Sequence, residues 1–169
     1  MTKFLLSIHV LAAILAIGPV AVAASLFPRA VKETAGDPAG PGAAGGQPPL
    51  GGWVTAAFLH RICRVYAVVG VSVPVFGIAT GAQLGVLTDA WLVVSLVLTT
   101  AAAVVLGALI LPGQERLLAT ADTPVPEAPA HPGPRAAAAR LAMLTGVFNL
   151  LWAVVVVLMI VRPGSTTSA

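Results

Sequence analysis

The chain has 169 residues, of which 58% are hydrophobic and only 9% charged; nine basic and six acidic side chains give a formal net charge of +3. A water-soluble domain carries about 25% charged residues, so this composition excludes an ordinary soluble globule. The basic residues stand singly at the ends of apolar runs, which sets orientation in a bilayer and excludes a nucleic-acid-binding patch. A lone cysteine, Cys63, excludes an internal disulfide.

A membrane-spanning helix needs about 20 mainly apolar residues. In chain order, four stretches meet that requirement: 4–27, 62–81, 90–111 and 141–161. None alternates polar with apolar as a barrel strand does, and in hydrocarbon the backbone pairs internally only as a helix. The predicted fold class is all-α, a single transmembrane domain over residues 1–169 forming a four-helix transmembrane bundle, up-down-up-down, with both termini outside.

The first element also carries signal-peptide features between Lys3 and Ala23: a basic start, an apolar centre and the small triplet Ala21-Val22-Ala23. Arg29, shortly after such a cut, hinders translocation and favours retention as a span. The second element is crowded at its start by His60, Arg61 and Arg64, so a headgroup-level first turn is expected, with a helix start as early as Trp53. The third is bounded by Asp89. The fourth is bracketed by Arg140 and Arg162, about 33 Å apart as a helix, close to the hydrocarbon thickness. Between the spans, the connections 28–52 and 112–136 are read as flexible cytoplasmic loops. Their Gly-, Pro- and Ala-rich parts, 35–52 and 120–134, bury too little apolar surface to offset ordering entropy. His131 in the second is expected to be solvated.

Orientation follows from the cations. Arg29, Lys32, Arg61 and Arg64 lie between spans one and two, and Arg116, Arg135 and Arg140 between spans three and four, whereas only Lys3 and Arg162 lie at the termini. The excess of Lys and Arg places the two long loops in the cytoplasm. Abundant Ala, Gly and Pro fits a GC-rich bacterial genome, so a multi-pass protein of the bacterial cytoplasmic (inner) membrane is expected.

Lipid tails are as apolar as leucine, so such helices associate through close packing of small residues. Span three offers Ser95, Thr99, Ala103 and Gly107 at four-residue spacing. Span two offers Gly70, Pro74, Gly77 and Gly81, span one Ala12, Ala13 and Ala16, and span four Gly146. Pro19 and Pro74 are expected to kink their helices. Asn149, with Thr145 and Trp152 a turn to either side, reads as helix glue, with Thr99 and Thr100 as partners.

An ionisable residue within a span is a functional candidate, and only His9 qualifies, about 9 Å past Lys3. Three uses compete: a hydrogen bond to Ser95 at matched depth, axial ligation of a haem, or proton handling. His60 sits near the other end of its span and cannot share one iron with His9. It is expected at the headgroups beside Arg61 and Arg64, contacting lipid phosphates. Cys63, at the same level, is open to either acylation or inertness. No phosphate loop, Cys-x-x-Cys, His-Glu-x-x-His or paired intramembrane carboxylate is present, which argues against an enzyme with ordinary acid–base equipment.

The opening Phe4-Leu-Leu-Ser-Ile-His9-Val-Leu-Ala-Ala resembles the first span of a family of uncharacterised bacterial four-helix integral membrane proteins. There a Leu/Ile-His-Val-Leu-Ala-Ala pattern is often followed by Trp-x-Gly-Gly. The likeness extends to His60-Arg61-Ile-Cys-Arg64 and, more distantly, to copper-resistance membrane domains and the small membrane protoporphyrinogen oxidase. It implies haem b or porphyrin chemistry centred on His9. This chain has Ala16-Ile17-Gly18-Pro19 in place of Trp-x-Gly-Gly, and it lacks the intramembrane lysine expected of the oxidase. Two functions are therefore expected: a non-enzymatic accessory or assembly subunit without a cofactor, partnered by the bilayer and by other membrane subunits or copies of itself, or a haem-binding redox protein using His9.

Overall fold

The computed structural model describes residues 2–34, 50–121 and 133–164. All regular structure among them is helical: α1 (Thr2–Thr34), α2 (Leu50–Gly70), α3 (Ser72–Leu84), α4 (Ala90–Val104), a π-helical segment (Val105–Ile110), α5 (Leu111–Ala121) and α6 (Pro134–Val161). These form four rods: α1, α2 with α3, α4 through α5, and α6. The rods comprise four helices long and apolar enough to cross a membrane, Thr2–Lys32, Gly51–Leu84, Ala90–Thr120 and Pro134–Val161. This suggests a multi-pass membrane protein.

Each rod is longer than its apolar run. Residues 28–34, 50–52, 112–121 and 134–136, expected to lie in loops, are helical, so Arg29, Lys32 and Arg116 project from helix ends. A helix satisfies its own backbone and so can run on past the end of its apolar stretch. The expectation of mobility for 35–52 and 120–134, and that of a solvated His131, fall almost wholly on residues 35–49 and 122–132, outside the described residues.

The prolines act differently from one another. Pro19 and Pro28 both lie inside α1, which runs on through them. Pro28 has no N–H to give to the Ala24 carbonyl four residues back; that carbonyl accepts the Thr145 hydroxyl of α6 at 3.4 Å. Pro74 sits in the first turn of α3, just after the rod is interrupted at Val71, because it withholds the donor that the Gly70 carbonyl would need. Pro112 follows the π segment and withholds another, a physical cause for the wide turn before it.

The buried core gathers at one end of the bundle. It joins Val20, Phe27 and Val31 of α1 to Ala56 and Cys63 of α2, Ile110 before α5, Leu117, and Ala138, Leu141 and Phe148 of α6. Gly113 admits Leu141, whose Cδ2 lies 2.7 Å from where a Cβ would stand. Trp152 meets Phe148 edge-on with ring centroids 6.4 Å apart. This end also holds the helix-borne Arg29, Lys32, Arg61, Arg64, Arg116, Arg135 and Arg140, and is called the basic end below.

At the other end α1 packs on α3 and α4 packs on α6, but α3 and α4 barely touch although only a short turn joins them. That turn begins at Gly85, whose φ of 69° closes α3 in the left-handed region. The start of α4 is tied to the end of α6: Trp91 Nε1 donates to Asp89 Oδ2 at 3.1 Å, and the Arg162 guanidinium lies 5.6 Å from the Trp91 ring centroid.

The packing face of span three differs from the expected row. Ser95 is buried, Thr99 half-buried, and Ala103 and Gly107 face outward, with nothing near a Cβ built on Gly107. The residues that pack are Trp91, Ser95, Ala102, Leu106 and Ile110. Successive four-residue steps overshoot one turn by about 40° each, so the row winds off the contact face. The wide π turn keeps Leu106 and Ile110 beneath Ala102.

Candidate functional site

His9 stands on the second turn of α1 and is half-buried against α3. Its Nδ1–H donates to the Val73 carbonyl at 2.9 Å. A carbonyl brings no proton of its own, so this bond selects the tautomer protonated at Nδ1 and leaves the lone pair on Nε2. Gly77, one turn beyond Val73, provides the room: a Cβ there would stand 2.9 Å from His9 Cε1. Ser95 is not the partner; it lies on α4 and spends its hydroxyl on the Trp91 carbonyl at 2.7 Å. The expected His9–Ser95 bond is replaced because α3, not α4, is the neighbour of α1 at this level.

His9 lines a half-open cavity of about 520 Å³ between α1, α3, α4 and α6, at the opposite end from the basic cluster. The walls are mostly aliphatic, from Val10, Val73, Ile78, Leu96 and Val155 among others, with Thr99, Trp152, Met159 and Arg162 also contributing. Trp152 Nε1 is buried and has no hydrogen-bond partner among the described residues. The size lies within the range of small-molecule sites, and an apolar wall with a few polar groups is their usual make-up. Gly81 brings the α3–α4 turn close, with Leu92 and Leu87 side chains 2.9 and 3.2 Å from its would-be Cβ.

The second histidine lies elsewhere. His60 is buried at the basic end, where its Nδ1–H donates to Gln114 Oε1 at 2.9 Å and its Nε2 lies 3.6 Å from Glu115 Oε1. Gln114 Nε2 in turn approaches Cys63 Sγ at 3.8 Å. The headgroup contact expected for His60 is thus corrected: Arg61 and Arg64 are exposed, but His60 turns inward with Ala56, Leu59 and Cys63. Gln114, from the connection read as a loop, is helical and almost wholly buried, and it supplies the partner that draws His60 in. Cys63 is fully buried, which leaves acylation no access.

Asn149 is half-buried and donates from Nδ2 to Ser25 Oγ of α1 at 3.4 Å. The expected partners on span three are not used, because α6 meets α1 along this face. Its Oδ1 is buried with no partner among the described residues. Ser25 of α1 completes this seam with Thr145, and its one signal in the sequence is Pro28, which leaves the Ala24 carbonyl without a helical donor. Among the described residues no group of three or more His, Cys, Asp or Glu is placed to hold a bare metal ion.

No family model matches the chain, and no curated protein or solved structure matches it either.

Proposed function

We propose that the chain is a four-span protein of the bacterial cytoplasmic membrane, running up-down-up-down with both termini outside. On this reading it holds a flat apolar cofactor, haem b or a related porphyrin, beside His9. The observation that carries the proposal is the Nδ1–H bond from His9 to the Val73 carbonyl in the wall of a 520 Å³ apolar cavity. Histidines that bind iron characteristically donate the other ring N–H to a carbonyl or carboxylate, which orients the ring and raises the basicity of the free nitrogen. The resemblance of the first span to porphyrin-associated membrane proteins points the same way, and the low count of cations at the termini supports the orientation.

The donor set of the cavity fits such a group. His9 would hold the iron through Nε2, Met159 offers a thioether from the same cavity, and Arg162 lines it with a cation suited to carboxylate side arms. Bound there, the group would supply one-electron chemistry. The protein's own contribution is to orient His9, to exclude water with aliphatic walls, and to offer Trp152 Nε1 as a donor.

The absorption spectrum of protein purified from haem-replete cells, or titrated with haem b in mild detergent, tests the proposal. A Soret band is expected that is lost in His9→Ala and shifted in Met159→Leu. Absence of the band, or a band indifferent to His9→Ala, overturns it.

A second reading, an accessory or assembly subunit of a larger membrane complex, draws on the outward-facing Ala103 and Gly107 of the third span, small residues that leave room for a partner helix. Crosslinking from a photoreactive residue at position 103 tests it: a lone monomer in membranes at native expression removes it.

A further inference from the structure

A second cavity of about 260 Å³ lies at the basic end, between α1 and α6. Its lining includes Ser25, Arg29 and Lys32 of α1 and Thr145 and Asn149 of α6, and among the described residues no acidic side chain lines it. Much of its polar equipment is already committed within the protein. Ser25 donates to the Ala21 carbonyl at 2.7 Å and accepts from Asn149 Nδ2; Thr145 donates to the Ala24 carbonyl that Pro28 leaves open.

Two features are left over. Arg29 and Lys32, exposed at the rim one turn apart, have no carboxylate partner among the described residues. Asn149 Oδ1, buried beside Ser25 one turn further along, is an acceptor with no donor among the described residues. A buried amide oxygen in that condition is costly and calls for a donor. The complementary ligand therefore carries an anionic oxygen cluster for the two cations and, a few atoms further on, a hydroxyl for the amide.

We propose that this cavity binds the phosphate-and-hydroxyl headgroup of an anionic glycerophospholipid of the phosphatidylglycerol type. Basic pockets between spanning helices on the cytoplasmic side suit anionic lipid headgroups. The cavity is smaller than the usual site for a whole drug-sized ligand, so it takes a headgroup and leaves the acyl chains along the exposed aliphatic flank of α1. Choline headgroups satisfy neither feature: they add a positive charge beside Arg29 and Lys32 and bring no hydroxyl to Asn149. The inference is independent of the His9 reading, since the two cavities lie at opposite ends and share no residue.

The test uses the full chain in nanodiscs of phosphatidylcholine doped with phosphatidylglycerol, with bound lipid read by native mass spectrometry. Wild-type protein is expected to retain phosphatidylglycerol in preference to phosphatidylcholine. Each cation neutralised should weaken retention about 5-fold, so Arg29→Gln with Lys32→Gln should weaken it about 25-fold. Asn149→Leu, which leaves both cations in place, should reduce the preference for phosphatidylglycerol over phosphatidic acid. Equal weakening by Arg61→Gln with Arg64→Gln, exposed cations at the same end but outside the cavity, would mean diffuse surface charge and overturn a defined site. Equal protection by soluble sn-glycerol 3-phosphate in pure phosphatidylcholine discs would assign the site to a soluble phosphate ester and overturn the lipid. Retention unchanged in the Arg29/Lys32 variant also overturns it.

Discussion

The two ends of this bundle are built on different terms. At the basic end α1, α2, α5 and α6 converge on Phe27, Cys63, Ile110 and Phe148, all but fully buried, and the inward-turned His60, Gln114 and Thr145 find partners on other helices. At the other end α3 and α4 stand apart, few side chains are fully buried, and the space between the rods is a cavity walled by aliphatic groups. Lipid gives no hydrophobic reward for bringing apolar helices together, so closure has to come from dispersion contacts and hydrogen bonds. One end has the close approaches and the polar pairs that supply both. The other is held by His9 on Val73 and by Arg162 over Trp91, and remains open between them.

That contrast can be broken by mutation. Phe148→Ala removes a ring from the packed end and should lower stability by about 2–3 kcal/mol, at or below the low end for a buried Phe because lipid offsets part of the transfer term. Val156→Ala or Ile14→Ala, on the wall of the open end, should cost less than about 0.5 kcal/mol. Reversible unfolding in mixed micelles measures both, and similar losses at the two ends would dissolve the distinction.

Next in size, Gln114→Leu should cost about 1–3 kcal/mol by leaving the buried His60 Nδ1–H without an acceptor. Adding His60→Leu should restore much of that loss, since an apolar pair of similar shape leaves nothing unsatisfied. If the double variant is no better than the single one, the pair is not what holds α2 to α5.

A smaller effect than that of Gln114→Leu sharpens the seam between α1 and α6. Thr145→Val should cost about 0.6 kcal/mol, the typical worth of a hydrogen bond between helices in a membrane. In a Pro28→Ala background the Ala24 carbonyl regains a donor from its own helix, so the cost of Thr145→Val should fall toward zero. An unchanged cost in that background would show that the hydroxyl does not serve the carbonyl left open by proline.

Much of the architecture was legible along the chain, and the exceptions have specific causes. The four apolar rods were legible because hydrocarbon demands long uninterrupted apolar stretches. Their ends were not, since residues such as Gln114 and Glu115 look like loop sequence until helical pairing carries α5 past the apolar run. His9 stood out because an imidazole in an apolar run is rare, but its partner did not: Val73 contributes a backbone carbonyl, which no side-chain pattern announces. His60 was misplaced because Arg61 and Arg64 beside it suggested a headgroup row. Rotation about the helix axis points neighbours about 100° apart, and a buried glutamine on another rod decided which of them turned in.

By itself the sequence determined the element type: four long apolar runs without polar alternation form helices, long and apolar enough to cross a bilayer. Which faces meet was decided in three dimensions. Small residues at Ala103 and Gly107 look equivalent to Gly77 and Gly113 in one dimension, yet only the latter pair admit a neighbouring side chain, His9 and Leu141. Contact between helices depends on rotation and register summed over whole rods, and a π turn or a proline shifts both.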